Sequence, residues 1–206
     1  MKVEDALDLV DWRRRVGDLY RLRGPGAMEE FRRGRDRLFS THTQSPIEDK
    51  STFAGLDYFA PDPNFRFACR LEPPRQRGEI VIDTGGEDGA ITYRRVGTLS
   101  FEVQGTDCRL TVFEIVAYGH GLFLPFKDAT SGHETYGGGR YLFDTIKNTD
   151  GLALDVTSGS AEVVIDFNYA YNPSCAYNPR WACPLAPPEN WLPVPVRAGE
   201  KNYRAP

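Results

Sequence analysis

The sequence predicts a mainly β protein, an antiparallel barrel or closed sandwich, with a helical pair before it and a Pro- and aromatic-rich strap after it. Three observations carry this. Between residues 65 and 168 the apolar period is two. Leu99, Phe101 and Val103 alternate with Ser100, Glu102 and Gln104, and Ala161, Val163, Ile165 and Phe167 with Glu162, Val164, Asp166 and Asn168. Such alternation puts one set on the core face of a half-buried strand. The runs are short and bounded by turn chemistry. No helical pattern lies between them, whereas a parallel sheet needs crossover helices.

Taken in order, residues 1–40 read as helical. Val3, Ala6, Leu7 and Val10, then Leu9, Trp12, Val16 and Leu19, recur at helical spacing over 3–22. Gly24-Pro25-Gly26 breaks the pattern, and Met28, Phe31, Leu38 and Phe39 mark a second helix over 27–39. Residues 41–64 are a polar, Pro-containing connection with enough apolar residues (Phe53, Leu56, Tyr58, Phe59) to pack as an ordered loop. Strands are expected at 65–71, 79–83, 90–96, 99–103, 108–117, 121–126, 140–145, 152–156 and 161–168. The turns between them are Thr84–Gly89, Gln104–Asp107, Gly119–Gly121 and Thr157–Ser160. Residues 169–206 hold eight of the fifteen Pro, but also Tyr169, Tyr171, Tyr177, Trp181 and Trp191. Rings of that size are costly to leave in water, so an ordered strap is expected rather than a linker. The repeated Tyr-Asn-Pro at 171–173 and 177–179 reads as two successive turns.

The 206 residues amount to one domain, long enough to bury roughly two thirds of the unfolded surface. With 25 Lys+Arg against 29 Asp+Glu the net charge is −4, which argues against a general nucleic-acid binder. No run approaches a membrane span, and the start, Met1-Lys2-Val3-Glu4-Asp5, is too acidic for a signal peptide. The Arg-rich stretches Arg13–Arg15 and Arg32–Arg37 are balanced by nearby acids and read as a solvated helix surface rather than a contact face for an anionic partner. The four Cys lack any CxxC spacing; Cys69 and Cys108 fall on strands as small hydrophobes, whereas Cys175 and Cys183 lie eight apart in a Pro-rich loop. A cytoplasmic location follows. A Cys175–Cys183 disulfide is sterically open, but a reducing cytosol opposes it.

Two segments concentrate chemistry. Residues 124–142 gather Asp128, His133, Glu134, Tyr136, Arg140 and Tyr141 around Gly132 and Gly137-Gly138-Gly139. The glycines serve either a backbone approached closely by a ligand or a tight bend. The segment is no P-loop, because the GK[ST] ending is absent and a strand follows. Residues 166–185 carry Asp166, Asn168, Asn172, Cys175 and Cys183 out of the last strand. Asp166 and Asn168 share a face, which would line the lumen if the sheet closes, or else form a solvent-facing strand end with an Asx-capped turn. Arg140 between Tyr136 and Tyr141 suits a carboxylate or phosphate; the alternative is that it pairs with Asp128, Asp144 or Asp166 and pins the loop. His133, Glu134, Cys175 and Cys183 are competent metal ligands, but the three His form no i,i+4 pair, so no metal site is assigned.

The strings PFKDATSGHETYGGGRYL and DFNYAYNPSCAYNPRWACPLAPPENWLPVPVRAGEK, with SPI at 45–47 and FAGLDYF, resemble the signature of DUF1684, a family of bacterial and archaeal proteins, over essentially the whole chain. The family's function is unknown, so the resemblance transfers no catalytic residue and no cofactor. The leading expectation is a small-molecule-binding barrel for a polar or anionic ligand. Its site would be built from Asp128, Glu134, Tyr136, Arg140, Tyr141, Asp166, Asn168, Asn172 and Cys175. The alternatives are a hydrolase-like enzyme, with or without metal assistance, using the carboxylate, His and Cys groups of 128–144 and 166–183, and a structural or interaction module. A deep pocket with convergent polar groups favours the first two readings, and a filled barrel with an exposed apolar helix face favours the third.

Overall fold

A computed structural model describes residues 2–84, 89–116 and 119–203. The helical pair is α1 (Val3–Tyr20) and α2 (Ala27–Thr41). The linking Gly24 and Gly26 sit at φ +86° and +81°, a region that Cβ-bearing residues avoid. The helices cross at Gly34, where a Cβ would meet Leu19 Cδ2 at 2.3 Å. Tyr20 and Phe31 meet edge to face beside the crossing, ring centroids 4.9 Å apart. Only the second half of α1 is buried, through Val16, Gly17 and Tyr20. Val3, Leu7 and Val10, expected on the apolar face, are exposed at 76, 67 and 45%.

Eight strands follow: β1 (Arg66–Glu72), β2 (Glu79–Asp83), β3 (Ala90–Val103), β4 (Thr106–Ile115), β5 (Leu122–Phe126), β6 (Arg140–Asp144), β7 (Leu154–Val156) and β8 (Glu162–Asp166). All pair antiparallel in one sheet of order β6-β5-β4-β3-β1-β8-β7, with β2 on the first half of β3. The expected strands at 90–96 and 99–103 are one 14-residue strand, bulged between Arg95 and Gly97. Beyond the bulge β3 leaves β2 and pairs β1 through Leu99 and Thr98. Gly97 is required there, because a Cβ would meet Leu71 Cδ1 at 2.6 Å and the Glu72 carbonyl at 2.7 Å. The turn Gln104-Gly105 closes the β3–β4 hairpin with both residues at positive φ. The expected turn Thr84–Gly89 falls largely on residues 85–88, outside the described residues.

The sheet curls into a nearly closed barrel. After β8 the chain turns through a 3-10 segment, Phe167–Tyr169, and reaches the free edge of β6, where Tyr141 and Tyr171 exchange two backbone hydrogen bonds of 2.8 and 3.0 Å. The interior is filled by Leu99, Leu110, Phe126, Leu142, Ile165 and Phe167, each at most 1% exposed. Beyond residue 170 the described residues form no strand. Two further 3-10 turns, Ser174–Ala176 and Pro188–Asn190, punctuate it, and Leu192, Val194, Val196 and Ala198 are buried with the core. Among the described residues no helix is long and apolar enough to cross a membrane.

Candidate functional site

The structure distributes the sequence-predicted site residues over five places rather than one. Asp128 and Arg140 pair with each other at 3.0 Å, their side chains 1 and 0% exposed. Arg140 also donates to the carbonyls of Val196, Ala198 and Glu200, and Asp128 Oδ1 accepts from Thr130 N, Thr130 Oγ1 and Val196 N. Burial lowers the Arg140 pKa and Asp128 opposes that shift. Arg140 therefore pins loop to tail through Asp128 and is closed to an outside anion, which corrects its expected place as an anchor. Gly139 serves the same bend: it sits at φ +90°, and a Cβ would meet the Phe126 carbonyl at 2.5 Å.

Asp166 and Asn168 do not line a lumen. The strand ends at Asp166, whose Oδ1 caps the turn by accepting from Asn168 N and Nδ2, while Asn168 clamps the backbone of Asp62. The alternation fails there because 167–169 is a 3-10 turn, and the face turned inward is that of Ile165 and Phe167. Asn172 lies in a second buried network. Its N–H donates to Glu200, and Glu200 accepts from Arg35 of α2 at 2.9 Å and from the Tyr177 hydroxyl. Burial works against the Arg35 charge, but Tyr58 and Glu200 outweigh it and hold the guanidinium protonated. Glu134 is at the surface, paired with Arg197 at 2.9 Å, beside an exposed His133.

Tyr136, Cys175 and Cys183 do come together, with Tyr141 alongside: the Tyr136 hydroxyl donates to Cys175 Sγ, and the Tyr141 hydroxyl to the Pro184 carbonyl. His133 and Glu134 are not joined to this pair as ligands. Among the described residues no group of three His, Cys, Asp or Glu is arranged to hold a metal.

A concave site of about 270 Å³ lies elsewhere, on the outer face of β3 and β4. Paired residues share a face of a sheet. Arg95 pairs Phe113, Thr98 pairs Thr111 and Ser100 pairs Arg109. Positions 109, 111 and 113 alternate onto one side of β4, so Arg95, Thr98, Arg109 and Thr111 all face that side. The bulge is what brings Arg95 round, since without it residues 95 and 98 would point oppositely. The loop between β1 and β2 adds Pro74, Arg75 and Gln76, and the Pro188–Asn190 turn adds Glu189. Glu189 is already engaged, accepting from Arg95 Nε and Nη2 (3.0 and 2.6 Å) and from Thr111 Oγ1 (3.0 Å). That hydrogen bond raises the Arg95 pKa. The side chains of Arg75 and Arg109 make no hydrogen bond or ion pair with any described residue and are exposed to solvent. The cleft thus carries three guanidinium groups against one carboxylate, in a chain whose net charge is −4. Sequence reasoning missed it. The available signal was Arg75, Arg77, Arg94, Arg95 and Arg109 gathered on neighbouring strands and their connecting loop.

A family model described as "Protein of unknown function (DUF1684)" matches residues 51–201. The solution NMR structure of the uncharacterised protein from gene locus rrnAC0354 of Haloarcula marismortui is similar at 37% identity and a TM-score of 0.60, over 84% of this chain and 91% of that one. No curated protein matches the sequence.

Proposed function

The chain belongs to the DUF1684 family, and from that premise we propose that it binds a small anionic ligand, phosphoryl- or carboxylate-bearing, in the cleft of Arg75, Arg95 and Arg109. The observation that supports this is the convergence of three arginines on one concave site, two of them with no side-chain partner among the described residues. Planar guanidinium forks suit the paired oxygens of both ligand classes. The Glu189 contact holds Arg95 in place, while Thr98, Thr111 and Gln76 offer neutral hydrogen-bonding groups. The filled barrel supports a site on the outer face rather than in a lumen. The cleft is small, which fits a ligand of a few heavy groups.

Calorimetric titration with inorganic pyrophosphate and, separately, with citrate tests the proposal and distinguishes the two ligand classes. One-site binding is expected for at least one probe, weakening with added salt. Arg109→Ala should reduce affinity about tenfold or more, the loss of one charge-assisted contact, with the unfolding midpoint unchanged. Silence toward both probes, or equal binding by the Arg75→Ala/Arg109→Ala double variant, overturns it. The exposed Val3, Leu7 and Val10 stripe of α1 would then leave the interaction-module reading as the better one.

A further inference from the structure

Cys175 and Cys183 are both free thiols, separated by eight positions, and the fold returns one to the other. Cys175 lies in the Ser174–Ala176 turn and its N–H donates to Cys183 Sγ at 3.3 Å. On the other side the Tyr136 hydroxyl donates to Cys175 Sγ at 3.6 Å. Tyr141 completes the surroundings: its hydroxyl holds the Pro184 carbonyl at 2.7 Å, and its ring carries the Lys147 ammonium at 5.8 Å. Cys175 is partly exposed and Cys183 lies just beneath it. The other two cysteines sit in strands and are buried.

The two pairs of thiols differ electrostatically. Burial pushes Cys69 up to about 11 and also raises Cys108. Cys183 moves the other way. The Cys175 thiol lowers its pKa most, and the Cys175 N–H and the Lys147 charge add to this against the cost of burial. Cys175 is raised in turn, first by its contact with Cys183. The contact thus favours the proton on Cys175 and the negative charge on Cys183.

We propose that Cys183 and Cys175 are a redox-active dithiol that exchanges with low-molecular-weight disulfides. The Cys183 thiolate attacks one sulfur of the disulfide RSSR. A Cys183–SR bond forms, the S–S bond of RSSR breaks, and the departing thiolate takes a proton from solvent. Cys175 then loses its proton to solvent and attacks Cys183 Sγ, forming the Cys175–Cys183 bond and releasing the second RS⁻, which is protonated in turn. The dithiol is oxidised by two electrons and RSSR is reduced to two RSH. Tyr136 is a positioning residue, since it holds the resolving sulfur.

Incubation of the protein with graded ratios of oxidised to reduced glutathione, followed by acid quench, alkylation and peptide mass mapping, tests this. The wild type should lose two hydrogens and show a Cys175–Cys183 crosslink, with Cys69 and Cys108 alkylated only after denaturation. Cys175→Ser should stop at one glutathionyl group on Cys183, and Cys183→Ser should react at least about tenfold more slowly, as expected of a neutral thiol. On the unaltered protein, the rate of iodoacetamide labelling at Cys183 should rise with a midpoint below that of an ordinary thiol. A pair that stays reduced in pure oxidised glutathione, or a Cys175→Ser variant that accumulates no mixed disulfide, overturns the proposal. So does a labelling midpoint at or above the ordinary thiol value.

Discussion

Arg140 shows how a residue attractive as a ligand anchor becomes a structural pin. Its charge is fully buried, so it persists only because Asp128 and three backbone carbonyls answer it. Removing one partner of such a pair leaves the other uncompensated, at a cost of about 3–5 kcal/mol. Arg140→Ala and Asp128→Ala should each lower stability by about that amount, and the double variant by much less than their sum, because the pair shares one loss. Denaturant unfolding of the three variants measures this, and additive losses would contradict a shared pin. The sequence showed both residues in one segment and offered pinning as an alternative to anchoring. It left three acids as partners, because choosing among them needs the distance across the loop. The thiol pair was equally open: the eight-residue spacing permits contact, but only the return of the chain against Tyr136 establishes it.

At the scale of elements, Asn190 holds the tail to the sheet. β4 and β5 pair only at Phe113–Phe123 and Glu114–Leu122. Past that point the β5–β6 register shifts between Leu124 and Pro125, with Leu142 of β6 as the extra residue, and Pro125 has no N–H to give a ladder. The fully buried Asn190 amide fills the gap, donating to the carbonyls of Thr111 and Pro125 at 2.9 and 2.8 Å and accepting from Thr111 N–H at 2.8 Å. Its backbone carbonyl accepts from Lys127, and Lys127 in turn accepts from Leu192. Asn190→Ala leaves the Thr111 N–H buried without a partner, and each such loss costs about 1–3 kcal/mol. Hydrogen exchange should then quicken at Lys127 and Leu192 before the β3–β4 hairpin loosens; unchanged protection there would deny Asn190 this role. Strand positions were legible because alternation and turn residues act locally, and β2 falls on the expected 79–83. The bulge at Arg95 was not, since Val96 and Gly97 look like ordinary strand residues until β1 presses on Gly97. The cationic cleft depends on that bulge, so it was hidden by the same step.

For the whole molecule, the carboxylates divide into two populations that set stability against pH. Asp36, Asp150 and Asp166 are partly buried, and burial raises each pKa above its ordinary value. Asp11, Glu30, Asp49 and Glu134 are at the surface and lowered, first by hydrogen bonds from His42, Arg33, Ser51 and Arg197 respectively. A raised carboxyl binds its proton more readily in the folded chain than in the unfolded one. Stability therefore grows as pH falls from the folded value toward the unfolded one, and is flat above that window. A lowered carboxyl does the opposite: its contribution is present above the unfolded value and is lost as pH falls through the folded one. Those four are solvated, so solvent screens their share. Protonation also relieves the self-repulsion of a chain with net charge −4. The urea midpoint should thus climb as pH falls from neutral toward the ordinary Asp value, and drop below about 4, the ordinary Asp range. Asp166→Asn should remove part of the climb, because its amide oxygen still accepts from Asn168 while the buried charge is gone. A midpoint that is flat or falls as pH drops from neutral toward the ordinary Asp value would mean that the surface pairs, not the buried acids, govern the fold's response to acid.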